Sequence, residues 1–214
     1  MWECPQLARF GDRALLVISV SQDGRATSVL GCLGELAGAR FSAGTSWQTL
    51  IHGPHAYATS LFRDRFGRVG MMSWLRDVRD PGPRPEWVGA LSLPSIIRLT
   101  PDGVRIDLSD EVGGALALRD APGAIVTTPG DPEAYRVRVL VGQTLTVSDA
   151  NGRPILTVDV QQRRVLVTAR GEGPNATTAL DRDPDGATEL VVDRGVVEVF
   201  TGAAYGVWSA EPPA

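Results

Sequence analysis

The sequence predicts an all-β protein, and three observations carry that prediction. Short runs rich in Val, Ile, Leu and Thr recur along the chain, punctuated by Gly, Pro, Asp and Asn. Several of the runs alternate in polarity, as strands with one buried face do. No segment holds a long, capped period of 3.6 residues. Residues 26–39 come nearest, and Gly31, Gly34 and Gly38 weaken a helix there.

In chain order the clearest strands are 14–20 (ALLVISV), 69–75 (VGMMSWL), 135–141 (YRVRVLV), 155–160 (ILTVDV), 164–168 (RVLVT) and 196–200 (VVEVF). Turn chemistry separates them. Asn151-Gly152 lies between two β-rich runs and can supply the positive φ of a type I′ turn. Pro101-Asp102-Gly103 and Asp193-Arg194-Gly195 are further turn candidates, and Asp64 and Asp102 read as turn residues.

The chain divides in two by composition. Trp2, Trp47, Trp74, Trp87 and four of the five phenylalanines lie in the first half. Residues 109–133 are poor in aromatics and carry Gly113-Gly114, Pro122-Gly123 and Pro129, so they read as a linker or loose edge. Evenly spaced short strands follow, the pattern of a β-sandwich. The units expected are therefore 1–108 and 109–214.

Bulk properties exclude several function classes. The 214 residues are 43% hydrophobic and 21% charged, with a net charge of −4. That leaves no broad basic surface for nucleic acid or anionic lipid. No apolar run reaches membrane-spanning length, and no secretory leader is recognisable, so a cytoplasmic protein is expected. Cys4 and Cys32 are too few for a disulfide framework or a zinc cage. His52 and His55 lack an evident third ligand, so neither a metal nor another cofactor is expected. Asn175-Ala176-Thr177 is a formal glycosylation sequon and reads as chance.

Five landmarks give the chain a likeness. They are Trp2-Glu3-Cys4-Pro5; Gly53-Pro54-His55-Ala56-Tyr57-Ala58; 64–68 (DRFGR) with its tryptophan-bearing strand 69–75; 89–94 (GALSLP) followed by Pro101-Asp102-Gly103; and 192–200 (VDRGVVEVF). In this order the chain resembles the family 32 glycoside hydrolases: invertases, levanases and inulinases. The resemblance implies a five-bladed β-propeller joined to a C-terminal β-sandwich. Residues 1–108 would then be the last blades of the propeller, and residues 109–214 a linker plus the sandwich.

The resemblance also implies a chemistry. Retaining hydrolysis of a glycosidic bond takes two carboxyl groups about 5 Å apart, one a nucleophile and the other a general acid and base. Glu3 matches the acid/base of the family motif. In the family, the nucleophile is the aspartate of an Asn-Asp-Pro-Asn-Gly motif. A third carboxylate, from an Arg-Asp-Pro motif, grips the sugar. Both precede the Glu-Cys motif, and this sequence holds no Asn-Asp-Pro-Asn-Gly. Arg79-Asp80-Pro81 and Arg182-Asp183-Pro184 follow the Glu-Cys motif and sit in a Pro/Gly-rich loop and a polar loop respectively, so neither is taken as the sugar clamp.

By the same resemblance Tyr57, Trp74 and Cys4 are substrate-binding candidates. Tyr57 would offer a hydroxyl to the acid or the sugar. Trp74 would be either an aromatic platform or a core filler. Cys4 would either line the site or pack as a small buried hydrophobe. His52 stands where family members often carry Asp. The partner implied is sucrose or a fructan. A lone Glu3 is expected to be ionised at neutral pH and a poor general acid.

The expectation is the C-terminal part of a longer enzyme: a truncated gene, a misplaced start, or half of a split enzyme completed by a chain supplying the missing blades. The alternative is a non-catalytic carbohydrate-binding module. An incomplete propeller should also expose sticky strand edges and faces.

Overall fold

The computed structural model describes residues 1–22, 25–79, 88–121, 123–126, 134–148, 151–169 and 176–209. The first sheet is an antiparallel meander of β1 (Trp2–Phe10), β2 (Arg13–Gln22), β3 (Arg25–Ala37) and β4 (Arg40–Ile51). The glycines that weaken a helical reading of this region have a packing role in β3. A Cβ at Gly34 would stand 2.2 Å from the Ser42 carbonyl oxygen, and one at Gly31 would press into Leu50.

The second sheet contains β5 (Ala56–Arg63), β6 (Val69–Arg79), β7 (Val88–Leu91), β8 (Ser95–Thr100) and β9 (Gly103–Leu108). Its order is β5-β6-β8-β9, with β7 also pairing β6. Asp64 shapes the β5–β6 loop by accepting hydrogen bonds from the Phe66 and Arg68 amides.

The stretch expected as a linker or loose edge has structure of its own. Helix α1 (Asp110–Ala115) is capped by Ser109, whose Oγ accepts from the Val112 amide at 3.2 Å. Arg68 reaches across to Asp110 and Glu111, both at 2.9 Å. Strands β10 (Ala117–Asp120) and β11 (Ala124–Val126) then become parallel edge strands of two different sheets. The remainder of the stretch, 122 and 127–133, lies outside the described residues.

The third sheet has the order β10-β12-β17-β18-β19, with β12 (Tyr135–Val139), β17 (Thr188–Asp193), β18 (Val196–Phe200) and β19 (Tyr205–Ser209). The fourth has the order β11-β13-β14-β15-β16, with β13 (Thr144–Ser148), β14 (Pro154–Val160), β15 (Arg164–Ala169) and β16 (Ala176–Asp181). These two sheets share one core, in which Val137, Leu190 and Val199 of the third meet Leu145, Val158 and Val167 of the fourth.

Every residue of β18 is buried, because the third sheet is covered on both faces at this strand. Val197 and Val199 point into the core shared with the fourth sheet. Val196 and Phe200, with Tyr205 and Val207 of β19, join a second core containing Leu15, Val17, Met71 and Leu75 of the first two sheets. A short apolar run buried on both sides has no polar face to alternate with.

One turn expectation is corrected. Asn151-Gly152 does not form a two-residue type I′ turn. The β13–β14 ladder shifts register after Val147 and closes at Ser148–Pro154, so the loop runs 149–153. Among its described residues, 151–153, Gly152 alone takes a positive φ, of 73°. The two-residue type I′ geometry occurs at Arg194-Gly195, with φ of 47° and 85°, between the paired Asp193 and Val196.

Candidate functional site

Glu3 lies near the start of β1, level with Ser19 of β2. The ladder then breaks. Glu3 pairs with Ser19, but the next pair is Gln6 with Val17, so Cys4 and Pro5 together oppose Ile18 alone. Cys4 absorbs the bulge with a φ of 50°. A non-glycine residue there carries about 1 kcal/mol or more of strain. Cys4 is exposed.

The same irregularity recurs in β5. Tyr57 pairs with Trp74 and Ser60 with Met72, so Ala58 and Thr59 oppose Ser73 alone. Ala58 has a φ of 45°. Among the described residues three non-glycines have positive φ: Cys4, Ala58 and the turn residue Arg194.

The two bulges are neighbours although their strands belong to different sheets. The Arg63 guanidinium donates to the Arg9 carbonyl at 2.6 Å, across 54 residues of sequence. The Leu61 amide points at Gln6 Oε1 at 3.5 Å, across 55 residues. The same offset carried along both strands puts Glu3 level with residues 57–58. A direct tie confirms it: the Ala58 amide donates to the Ser19 hydroxyl at 3.0 Å, and Ser19 is the cross-strand partner of Glu3.

Tyr57 and Trp74 are directly opposite each other on β5 and β6. Trp74 is 40% exposed. Its indole lies over Gly89, where a Cβ would be 1.8 Å from Nε1. The Tyr57 hydroxyl is shut off from solvent and has no hydrogen-bond partner among the described residues. It makes no hydrogen bond to Glu3. Trp2, 67% exposed, stacks obliquely on Trp47, with ring centroids 5.3 Å apart.

The fold thus brings Glu3, Cys4, Tyr57 and Trp74 to one region, joined by Ser19. Sequence reasoning missed Ser19 and the Ala58 bulge. Alanine has no left-handed preference, so no local signal announced that turn of the backbone.

The remaining sequence candidates fall elsewhere. Asp183 pairs with Arg105 at 3.3 Å. Arg182 is buried and spends its guanidinium on Thr188 Oγ1 and on the carbonyls of Gln162, Pro184 and Gly186. That tripeptide is a structural plug. Of Arg79-Asp80-Pro81, everything beyond the Arg79 backbone lies outside the described residues, as does Asn175. His52 is half-buried, and desolvation lowers its pKa against the opposing charge of Asp181. Among the described residues no cluster of three or more His, Cys, Asp or Glu side chains could hold a metal ion. No helix there is long and apolar enough to cross a membrane.

The model of the glycosyl hydrolases family 32 N-terminal domain matches residues 1–108. Sucrose-6-phosphate hydrolase of Zymomonas mobilis is 22% identical, over 94% of this chain and 45% of that protein. The structure of the Bombyx mori family 32 β-fructofuranosidase superposes with a TM-score of 0.70 at 18% identity, covering 97% of this chain and 49% of the other. The Lactobacillus gasseri sucrose-6-phosphate hydrolase gives a TM-score of 0.71 at 16% identity, covering 97% and 49%. The chain spans about half the length of these relatives. With half its length matched by the family model and its fold shared with solved members, the chain belongs to glycoside hydrolase family 32.

Proposed function

We propose that this chain carries the acid/base part of a retaining β-fructosidase acting on sucrose or a fructan, with Glu3 as the acid/base. Its first two sheets are the last blades of a five-bladed propeller, and its last two form the C-terminal sandwich. One observation supports this above the others: two strained bulges, at Cys4 and Ala58, set Glu3 level with Tyr57 and Trp74. Backbone strain of this kind persists where the surroundings enforce it, and it clusters at functional sites. Glu3 supplies a proton to the leaving oxygen and then takes one from water. Trp74 offers an aromatic face to the sugar. Tyr57, directly opposite Trp74, backs the site with its ring, its hydroxyl enclosed and without a partner among the described residues.

A displacement with retention also needs a nucleophilic carboxylate opposite the acid. The sequence contains no Asn-Asp-Pro-Asn-Gly to provide it, so the 214 residues are inactive by themselves. The exposed apolar side chains Met1, Trp2, Leu7 and Trp47 on the first sheet favour a second reading, in which further blades supplied in trans complete the site.

The test is a chimera. The N-terminal half of the Zymomonas mobilis relative is fused ahead of Met1, and sucrose hydrolysis is measured. The chimera is expected to hydrolyse sucrose and to lose roughly 10²-fold or more of its rate on Glu3→Gln, while the 214-residue chain does not turn over. A chimera indifferent to Glu3→Gln, or hydrolysis by the short chain that depends on Glu3, would overturn the proposal.

A further inference from the structure

The junction between the second and third sheets holds a carboxyl group that the proposed chemistry does not use. Glu198 sits mid-strand in β18, between Val196 and Phe200, and is 3% exposed. Its Oε1 accepts from the Leu93 amide of the β7–β8 connection at 2.7 Å. Its Oε2 accepts from the Tyr205 hydroxyl of β19 at 2.6 Å. No cation pairs with it among the described residues. A cavity of about 140 Å³ adjoins it, walled by Leu91 and Leu93 on one side and by Val191, Asp193 and Arg194 on the other.

A line of buried polar contacts leads from this carboxyl toward the candidate site. The Tyr205 hydroxyl also lies close enough to the Ser92 side chain to interact with it. The Ser73 amide donates to Ser92 Oγ at 2.9 Å, and the Ser92 amide donates back to the Ser73 carbonyl at 2.8 Å. The Ser73 and Thr59 hydroxyls are 2.7 Å apart, and Thr59 belongs to the β5 bulge beside Tyr57. Each member of this line is desolvated, so an unbalanced charge at one end has few ways to be absorbed locally.

We propose that Glu198 is a proton-operated latch between the two halves of the molecule: protonated, it closes the junction, and ionised, it draws in water from the adjoining solvent-open cavity and loosens the Leu93 connection. The reasoning is electrostatic. A carboxylate with two hydrogen-bond donors and no counter-charge loses more in leaving water than those donors return. The groups facing it do not correct this. Asp193 of β17 adds like charge, Tyr205 of β19 is neutral, and Ala90, Leu91 and Leu93 are apolar. Among the described residues that wall the cavity, Arg194 is the one cation. His52, whose backbone joins β19 at the same junction, is pushed toward its neutral form by burial and answers pH in the opposite direction.

The sign follows from linkage. Burial raises the folded-state value of Glu198 from 4.5 to about 7, against the hydrogen bonds from Tyr205 and Leu93. The closed junction is therefore favoured in full below the unfolded value. That contribution is lost as pH rises through the folded value. His52 acts the other way, costing stability as pH falls below its ordinary value.

Three measurements on the intact chain test the latch. The ¹³C resonance of the Glu198 carboxyl should titrate near neutrality. Protection of the Leu93 amide, corrected for intrinsic exchange, should fall about tenfold or more between about pH 5.5 and about pH 8. Glu198→Gln, which keeps an acceptor for the Leu93 amide, should abolish that fall. A carboxyl already ionised at about pH 5, or a Glu198→Gln chain that keeps the full loss of protection, would overturn the proposal. Where Glu198→Gln fails to fold, Tyr205→Phe decides. Removing a donor to the carboxylate should move the carboxyl titration to higher pH, and an unmoved titration would sink the latch.

Discussion

The first and third sheets are built from the same kind of strand, yet they live in different surroundings. In the third sheet the strands β17–β19 are covered on both faces, and β18 has no exposed residue. The first sheet buries Leu15, Val17, Val29 and Leu50 on one face, yet leaves Trp2, Leu7 and Trp47 in solvent. A sheet covered on two sides is held by packing that any one deletion disturbs. A sheet covered on one side has residues whose removal costs almost nothing and whose presence invites contact. The difference locates stability in the C-terminal half and exposed apolar surface in the N-terminal half.

Leu190→Ala should show the largest effect. Leu190 is fully buried between the third and fourth sheets, beside Val137 and Val199. Truncation leaves a cavity in a two-sided core and should cost about 2–5 kcal/mol, read as a lower urea midpoint with an unchanged slope. A loss below about 1 kcal/mol would mean that the third sheet is not the stable floor of the molecule.

Gly53→Ala comes next and probes where the two regions join. Gly53 follows His52, whose amide donates to the Tyr205 carbonyl and whose carbonyl accepts from Val207, both at 2.9 Å. At Gly53 φ is +93°, and an added Cβ would stand 2.2 Å from the Val207 carbonyl oxygen. The substitution meets both a strained backbone and a backbone clash, and about 1–3 kcal/mol of stability should be lost. Hydrogen exchange should localise the change to the ends of β4 and β19. Global loss with no localisation would argue that the halves unfold as one body.

These contrasts also explain what could be read from the residues alone. The strand at 196–200 matched β18 at both ends, because its apolar run and the flanking Arg194-Gly195 turn are local signals. Leu140 and Val141, read as the end of a strand, lie in an exposed turn after β12, because apolarity alone does not say where a ladder stops. Glu3 was legible through a motif. Its neighbours across the bulges were not, since the Cys4 and Ala58 conformations are imposed by register between strands. Glu198 was visible as a letter in 192–200, but its burial depends on a second sheet arriving on the far side of β18. Pairing across long sequence separations is the part of a β fold that local propensity leaves open.

The smallest expected effect sharpens the contrast from the other side. Leu7 is 46% exposed on β1, while Ala8 beside it faces the core shared with the third sheet. Leu7→Ser should therefore change the urea midpoint by less than about 0.5 kcal/mol, against the several lost at Leu190. It should also reduce self-association in sedimentation, since it removes apolar surface from a face already carrying Trp2 and Trp47. A large destabilisation would show that this face is covered in solution by another copy, and dilution would then distinguish the two outcomes. If the midpoint of the parent chain falls on dilution while that of Leu7→Ser does not, the open face of the first sheet is an interface whose energy was being counted as folding.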